Sequence, residues 1–186
     1  MISYQREKDA ILYITKQYEK NPAITTVTHR NFNRIDNFSA FLTASPAVGS
    51  WHPQLTVGVQ KQWAKIEHNG ETLQMDTPLF FCTLNNGIQL PYHWTLSTDI
   101  NFQSKGDYQN IYMYQNVFMM NATLTKSFLN EHLSIHLQGI DLTHGRKDGN
   151  RIYNKHMNMD VANVSDSREL RFTIRYKFNT AKSKYK

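Results

Sequence analysis

The strict alternation of apolar and polar residues near the C-terminal end of the chain constrains its fold most. In the stretch LRFTIRYKF, residues 170–178, every second residue is apolar and the residues between them are polar, mostly basic. Successive side chains of a strand point to opposite faces, so a period of two predicts a strand with one apolar and one basic face. The alternation alone does not decide which face meets water.

The same alternation recurs along the chain and predicts an all-β fold. It is regular at residues 94–103, 118–125 and 133–138, and less regular at 38–44, 55–60 and 80–85. The N-terminal KDAILYITKQYEKN is ambiguous because Ile11, Ile14 and Tyr18 have helical spacing while the flanking segments look extended. We expect a first strand followed by a loop there, and about eight antiparallel strands in all.

The predicted connections between these strands alternate between short and long. ASPAVGSWHP, LPYH and LNEH are short, whereas AKIEHNGETLQMDT, QSKGDYQN and the stretch from Thr143 to Asp166 are long. In an antiparallel meander this puts the short turns at one end of the sheet and the long loops at the other.

Aromatic residues cluster near the predicted strand ends, as in the two aromatic girdles of a membrane barrel. Near the short turns these are Trp51, Tyr92, Trp94, Phe128, Tyr176 and Phe178, and near the long loops they are Trp63, Phe80, Phe102, Tyr112 and Tyr114. A strand of about nine residues, at roughly 3.3 Å per residue and tilted by about 40°, rises about 23 Å, close to the roughly 25 Å band of an outer-membrane barrel.

Two opposite structures fit this pattern. In a soluble barrel or sandwich the apolar face packs inward, whereas in an outer-membrane barrel it meets lipid and the polar face lines a wet lumen. The second interpretation predicts an antiparallel, up-and-down transmembrane β-barrel segment of about eight strands, with residues 1–186 as one unit. Its lumen-facing polar candidates are Asp99, Asn101, Gln103, Asn121, Gln138, Arg171 and Arg175.

Composition and motifs argue against several other classes. The net charge of +6 is scattered rather than clustered, so we expect no nucleic-acid partner. The single cysteine, Cys82, excludes an internal disulfide framework and is interpreted as a small apolar residue. His132 and His136 lie on an alternating strand without an HExxH arrangement, and no nucleophile elbow, P-loop or dinucleotide fingerprint occurs. We expect no enzyme activity, no metal and no cofactor.

The long loop from Thr143 to Asp166 is the other candidate binding region. Its basic and aromatic residues suit an anionic sugar or a surface glycan, and the alternative is a mobile, solvated loop. The ligand candidates are Arg146, Lys147, Arg151 and Tyr153, with Lys155 and His156 nearby.

The C-terminal RFTIRYKFNTAKSKYK, with NFSAFLTASPAVGSWHP, FQSKGDYQNIYMYQN and SFLNEHLSIHLQGIDL upstream, resembles the C-terminal part of the outer-membrane β-barrel family related to TonB-dependent receptors. The resemblance covers nearly all 186 residues. It implies location in the cell outer membrane, contact with its lipid, and import of a bulky nutrient with energy from the inner membrane. It also implies a preceding plug domain and further strands, and leaves room for a surface lipoprotein partner.

We find nothing resembling the plug or a signal peptide within these residues, so we expect either roughly the last eight strands of a larger receptor barrel or a truncated gene product that begins at Met1. Two alternatives stay open. One is a self-contained eight-stranded outer-membrane barrel that serves as an anchor or adhesion module. The other is a soluble β-barrel that carries a small apolar ligand inside.

Overall fold

A computed structural model describes residues 1–18, 20–68, 70–153, 158–164 and 166–178. These residues form thirteen β-strands, and no helix among them is long and apolar enough to cross a bilayer. The strands are β1 (Ile2–Tyr18), β2 (Asn21–Ala44), β3 (Trp51–His68), β4 (Glu71–Met75), β5 (Leu79–Leu90), β6 (Trp94–Gln103), β7 (Gly106–Tyr108), β8 (Ile111–Met113), β9 (Val117–Phe128), β10 (Leu133–Ile140), β11 (Lys147–Tyr153), β12 (Asn158–Val164) and β13 (Glu169–Tyr176).

Eight of the strands form one antiparallel meander, in the order β1-β2-β3-β5-β6-β9-β10-β13, and β4 pairs with β3. This confirms the predicted all-β, antiparallel, up-and-down fold. Among the described residues β1 and β13 do not pair with each other, so the sheet is open at both edges.

The connections differ in length as the sequence predicts, and the long ones contain strands of their own. The short turns cover residues 45–50, 91–93 and 129–132. At the other end, β7, β8, β11 and β12 form a second sheet in the order β12-β11-β8-β7. The segment AKIEHNGETLQMDT, which we expected to be a loop, forms the end of β3 and all of β4.

The N-terminal segment differs from our expectation of a strand followed by a loop. β1 continues to Tyr18 and pairs with β2 from Ile2 opposite Ala40 to Tyr18 opposite Asn21. The pairing skips Asp9, which has a φ of 54°, and beyond it the even-numbered Ala10 and Leu12 are buried. A change of face within one strand breaks the period of two.

The apolar residues of neighbouring strands lie in register on one face of the main sheet. One row runs through Ile88, Leu96, Leu124, Leu137 and Phe172, which are successive Cα partners. This face is not covered by protein: Phe172 is 61% exposed and Leu137 44%. We call it the outer face.

The buried core lies at the long-loop end of the molecule. Ala10, Leu12, Ile35, Ala64, Ile66 and Met75 form one cluster between the extended ends of β1–β4 and the second sheet. Tyr112 of β8 packs against this cluster. The expectation that Tyr112 belongs to an outward aromatic girdle is therefore wrong, because the hairpin that carries it folds back over the sheet.

Candidate functional site

The polar side chains of the main sheet share the face opposite to the apolar row, which we call the inner face. Register pairs Asp99 with Asn121, Asn101 with Thr83, and Gln138 with Arg171. The parity of each strand puts the seven lumen-facing candidates on this face: Asp99, Asn101, Gln103, Asn121, Gln138, Arg171 and Arg175.

Several of these residues have local hydrogen-bond partners. Asn101 Oδ1 accepts a bond of 3.1 Å from the Thr83 hydroxyl, and Asn121 Oδ1 accepts one of 2.9 Å from the backbone N–H of Asp141. Gln103 donates to the sulfur of Met113 at 2.7 Å. Arg171 makes two bonds of 3.0 Å to Glu169.

The loop candidates whose side chains the structure describes, Arg146, Arg151 and Tyr153, do not form one site. Arg151 binds Asp160 through two nitrogens, at 2.6 and 3.0 Å, and the backbone N–H of Tyr153 donates to the Asn110 carbonyl at 2.9 Å. Tyr153 also packs against the buried core. Arg146 lines a groove of about 260 Å³ that it shares with Gln103 of the inner face. The Lys147 side chain, Lys155 and His156 lie outside the described residues.

A buried carboxylate, which the sequence analysis missed, organises the base of this loop. Asp141 is only 2% exposed. Its oxygens accept hydrogen bonds from the Gly145 N–H at 2.7 Å, from the Arg146 N–H at 3.3 Å, and from the Ser167 hydroxyl. Burial opposes the charged form, but these hydrogen bonds outweigh it and hold the pKa of Asp141 below its ordinary value.

A polar pocket of about 180 Å³ lies where the β7–β8 hairpin covers the inner face of β1–β3. We take this polar pocket as the candidate binding site. It combines hydroxyl, amide and carboxylate groups with one tyrosine. Its polar lining is Ser3, Gln5, Glu7, Asn37, Ser39, Gln60, Tyr108 and Gln109.

Buried polar side chains hold the hairpin over the pocket. Gln62 is 2% exposed, and its side chain bonds both backbone groups of Gln109, at 2.5 Å to the N–H and 2.7 Å to the carbonyl. Asn110 donates to the Tyr13 carbonyl at 2.9 Å. Asp107 accepts from the Thr77 N–H at 2.8 Å. Because an unpaired buried polar group is costly, these bonds specify one position for the hairpin.

The sequence contained part of the signal for this pocket. In ISYQRE, the inward Ser3 and Gln5 alternate with the outward Ile2, Tyr4 and Arg6, as on any half-buried strand. This alternation was not assigned to a polar pocket because the apolar residues of the next segment, KDAILYITKQYEKN, have helical rather than strand spacing. The contribution of Tyr108 to the pocket could not be predicted from the sequence, because it depends on how the distant β7–β8 hairpin folds back over the sheet.

His136 lies on β10 as expected, whereas His132 lies in the turn before it, and both have ordinary hydrogen bonds. His136 bonds Thr125 at 3.0 Å and Ser134 at 2.9 Å, and His132 bonds the Leu129 carbonyl at 2.8 Å. Among the residues that the structure describes, no three His, Cys, Asp or Glu side chains group in a way that could hold a metal ion.

The comparisons with known proteins give one match. The model of a family described as "Outer membrane protein beta-barrel family" matches residues 1–176. No curated protein and no solved structure matches the chain. The match covers every strand of both sheets, so it concerns the same residues that form the outer face and the polar pocket.

We expect Asp141→Asn to loosen the loop of residues 141–146, because an amide nitrogen cannot accept the bonds from Ser167 or Arg146. A buried group left unpaired costs about 1–3 kcal/mol, so amide exchange at Gly145 should accelerate about tenfold or more. The matched control is Asp166→Asn, a change of an exposed residue farther along the same loop. Equal exchange in the two variants would contradict the anchoring role.

The same loop should be sensitive to acid in the unmodified protein. A pKa lowered from the ordinary 3.8 means that Asp141 contributes its full stabilisation above that pH. The contribution is lost as the pH falls through the lower folded value. Amide exchange followed from pH 5 downward should therefore show protection of residues 141–146 decreasing only below about pH 4, and Asp141→Asn should abolish this dependence.

Proposed function

The chain belongs to the outer membrane protein β-barrel family and lies in the outer membrane, and we propose that it forms part of the barrel wall of an uptake receptor. In this proposal it is the C-terminal segment of a receptor similar to the TonB-dependent receptors. The receptor imports a bulky solute with energy delivered from the inner membrane. The segment acts by binding and passage of the solute, without catalysing a reaction.

The observation that carries this proposal is the open main sheet. β1 and β13 lie at its two edges and do not pair with each other in the described part of the chain. Unpaired backbone N–H and C=O groups are not tolerated in lipid, so both edges need neighbouring strands. A barrel of more than eight strands satisfies both edges and encloses a wider lumen than an eight-stranded barrel. In this proposal the upstream strands and a plug domain are the partners of the segment.

The chemistry of the polar pocket supports a hydroxyl-rich solute. The amides of Gln5, Asn37 and Gln60 both donate and accept hydrogen bonds, and Tyr108, 40% exposed, adds an aromatic ring. An oligosaccharide needs both kinds of hydrogen bond and an apolar ring face to stack against. A surface lipoprotein that delivers the solute fits the same proposal.

The identity of the lipid-facing side is testable with two adjacent substitutions on β6. Leu96→Arg places a charge on the outer face, between the Trp94 girdle and the middle of the bilayer, and should cost about 1–3 kcal/mol of unfolding free energy. Ser97→Arg places the same charge on the inner face and should be tolerated. Urea unfolding of the protein in phospholipid vesicles measures both. Equal costs would contradict the assignment of faces.

The need for further strands is testable by cross-linking in cells that make the protein as their genome encodes it. Cysteine at Thr173 of β13, combined in turn with cysteine at Ser3 or Gln5 of β1, should not be joined by a short bifunctional thiol reagent. The control pair replaces His136 and Thr173, which are Cα partners on β10 and β13, and should react. Efficient joining of β1 to β13 would instead favour the self-contained eight-stranded barrel.

The uptake role is testable with oligosaccharides too large for general porins. Accumulation in cells should require the gene and should fall when the proton gradient is collapsed. Replacing Asn37 and Gln60 together with Leu should raise the half-saturating concentration about tenfold, because hydrogen bonds to the solute are lost. Gln89→Leu, on the inner face but far from the pocket, is the control. Accumulation that is unchanged in cells without the gene would contradict an uptake role.

A further inference from the structure

A group of basic residues lies on the outer face just beyond the apolar band. The row of Ile2, Ala40 and Val59 is apolar, and the next row contains Lys61 opposite Phe38. In the row after that, Arg6 and Trp63 both lie opposite Asp36. The outer face therefore changes from apolar to charged within four residues along these strands.

The depth of this change corresponds to a lipid headgroup region. A tilted strand rises about 2.5 Å per residue along the membrane normal, so Trp63 lies about 10 Å beyond Val59. The long loops of outer-membrane barrels face outside the cell, and these residues lie toward that end. The group thus faces the headgroups of the outer leaflet.

The positive charge here is only partly neutralised by protein. Asp36 accepts bonds from Arg6 at 2.8 Å and from Arg34 at 2.5 Å, so one carboxylate serves two guanidinium groups. Asp36 is largely buried beneath them, whereas the two arginine side chains are 48% and 55% exposed. Lys8 lies directly opposite Arg34, and like charges in directly opposite positions destabilise a sheet.

A groove opens beside these residues because β2 and β3 separate there. Their pairing ends at Ile35 opposite Ala64, after which β3 pairs with β4. The space between them is about 470 Å³, within the usual range for ligand sites. Its charged lining is Arg30, Arg34, Lys65, Asp36 and Glu67, with Phe32, Trp63 and Gln74 beside them, and we call it the basic groove. Arg30 pairs with Glu67 at 3.1 Å and Arg34 with Asp36. Lys61 lies over the exposed Trp63 ring at 5.4 Å from its centre.

We propose that the basic groove binds the phosphate groups of the anionic glycolipid of the outer leaflet. Guanidinium and ammonium groups at headgroup depth match phosphate in charge and hydrogen-bonding geometry. Trp63 and Phe32 contact the apolar and sugar portions next to the phosphate. The bound lipid neutralises the charge of Lys8 and Arg34 and fills the space where β2 and β3 separate.

The test uses the full protein, purified in zwitterionic detergent and titrated with diphosphorylated lipid A. Binding is measured by native mass spectrometry. Replacing Arg34 and Lys65 together with Gln should weaken binding about thirtyfold, since each cation near a charged surface contributes about fivefold. The control replaces Lys105 and Arg168 with Gln, removing the same charge from exposed residues outside the groove. Lys65→Gln alone, which leaves the Asp36 cluster intact, should weaken binding about fivefold.

Removing both phosphates from the lipid should abolish the difference between the two double variants, and inorganic phosphate alone should not compete at similar concentrations. The proposal is overturned if the groove and control variants bind alike, if the dephosphorylated lipid binds as tightly, or if inorganic phosphate displaces the lipid at similar concentrations. Circular dichroism and heat-dependent gel mobility show whether each variant keeps its folded barrel. The unfolding midpoint of the unmodified protein should also rise on addition of lipid A and not in the groove variant.

Discussion

Continuous antiparallel hydrogen bonding between neighbouring strands is the interaction on which the rest of this structure depends. A strand in lipid must pair every backbone N–H and C=O group with a neighbour, because no water is present to replace them. That requirement aligns the strands in a single register, and the register puts the apolar residues of six neighbouring strands on one face. The same requirement makes the two open edges the most informative feature for function.

A different kind of packing controls the long-loop end. There the strands extend beyond the apolar band and are covered by the second sheet, so the buried cluster of the described residues forms at this end. Buried polar contacts, notably those of Gln62 with Gln109, set where the β7–β8 hairpin lies. The polar pocket exists because that hairpin covers strands whose inner face is already polar.

The polar pocket and the basic groove are opposite sides of the same strands. On β2, Asn37 faces the polar pocket, whereas its neighbour Asp36 lies on the outer face and binds Arg6 and Arg34. On β3, Gln60 faces the polar pocket and Lys61 lies on the outer face. Because successive side chains of a strand point to opposite faces, adjacent residues contact different surroundings. In our proposals one side meets a solute and the other meets a lipid headgroup, and shifting either strand by one residue exchanges the two.

The sequence by itself determined the features that depend on neighbouring residues. The alternation at residues 94–103 coincides with β6, and the same reasoning put seven polar residues on one face, because side-chain direction in a strand is a local property. Tertiary structure alone decided what depends on distant residues. Asp141 meets Ser167, Gln62 meets Gln109, and β2 separates from β3 beyond Ile35. Those contacts arise from the register and folding-back of separate hairpins, which no local pattern encodes.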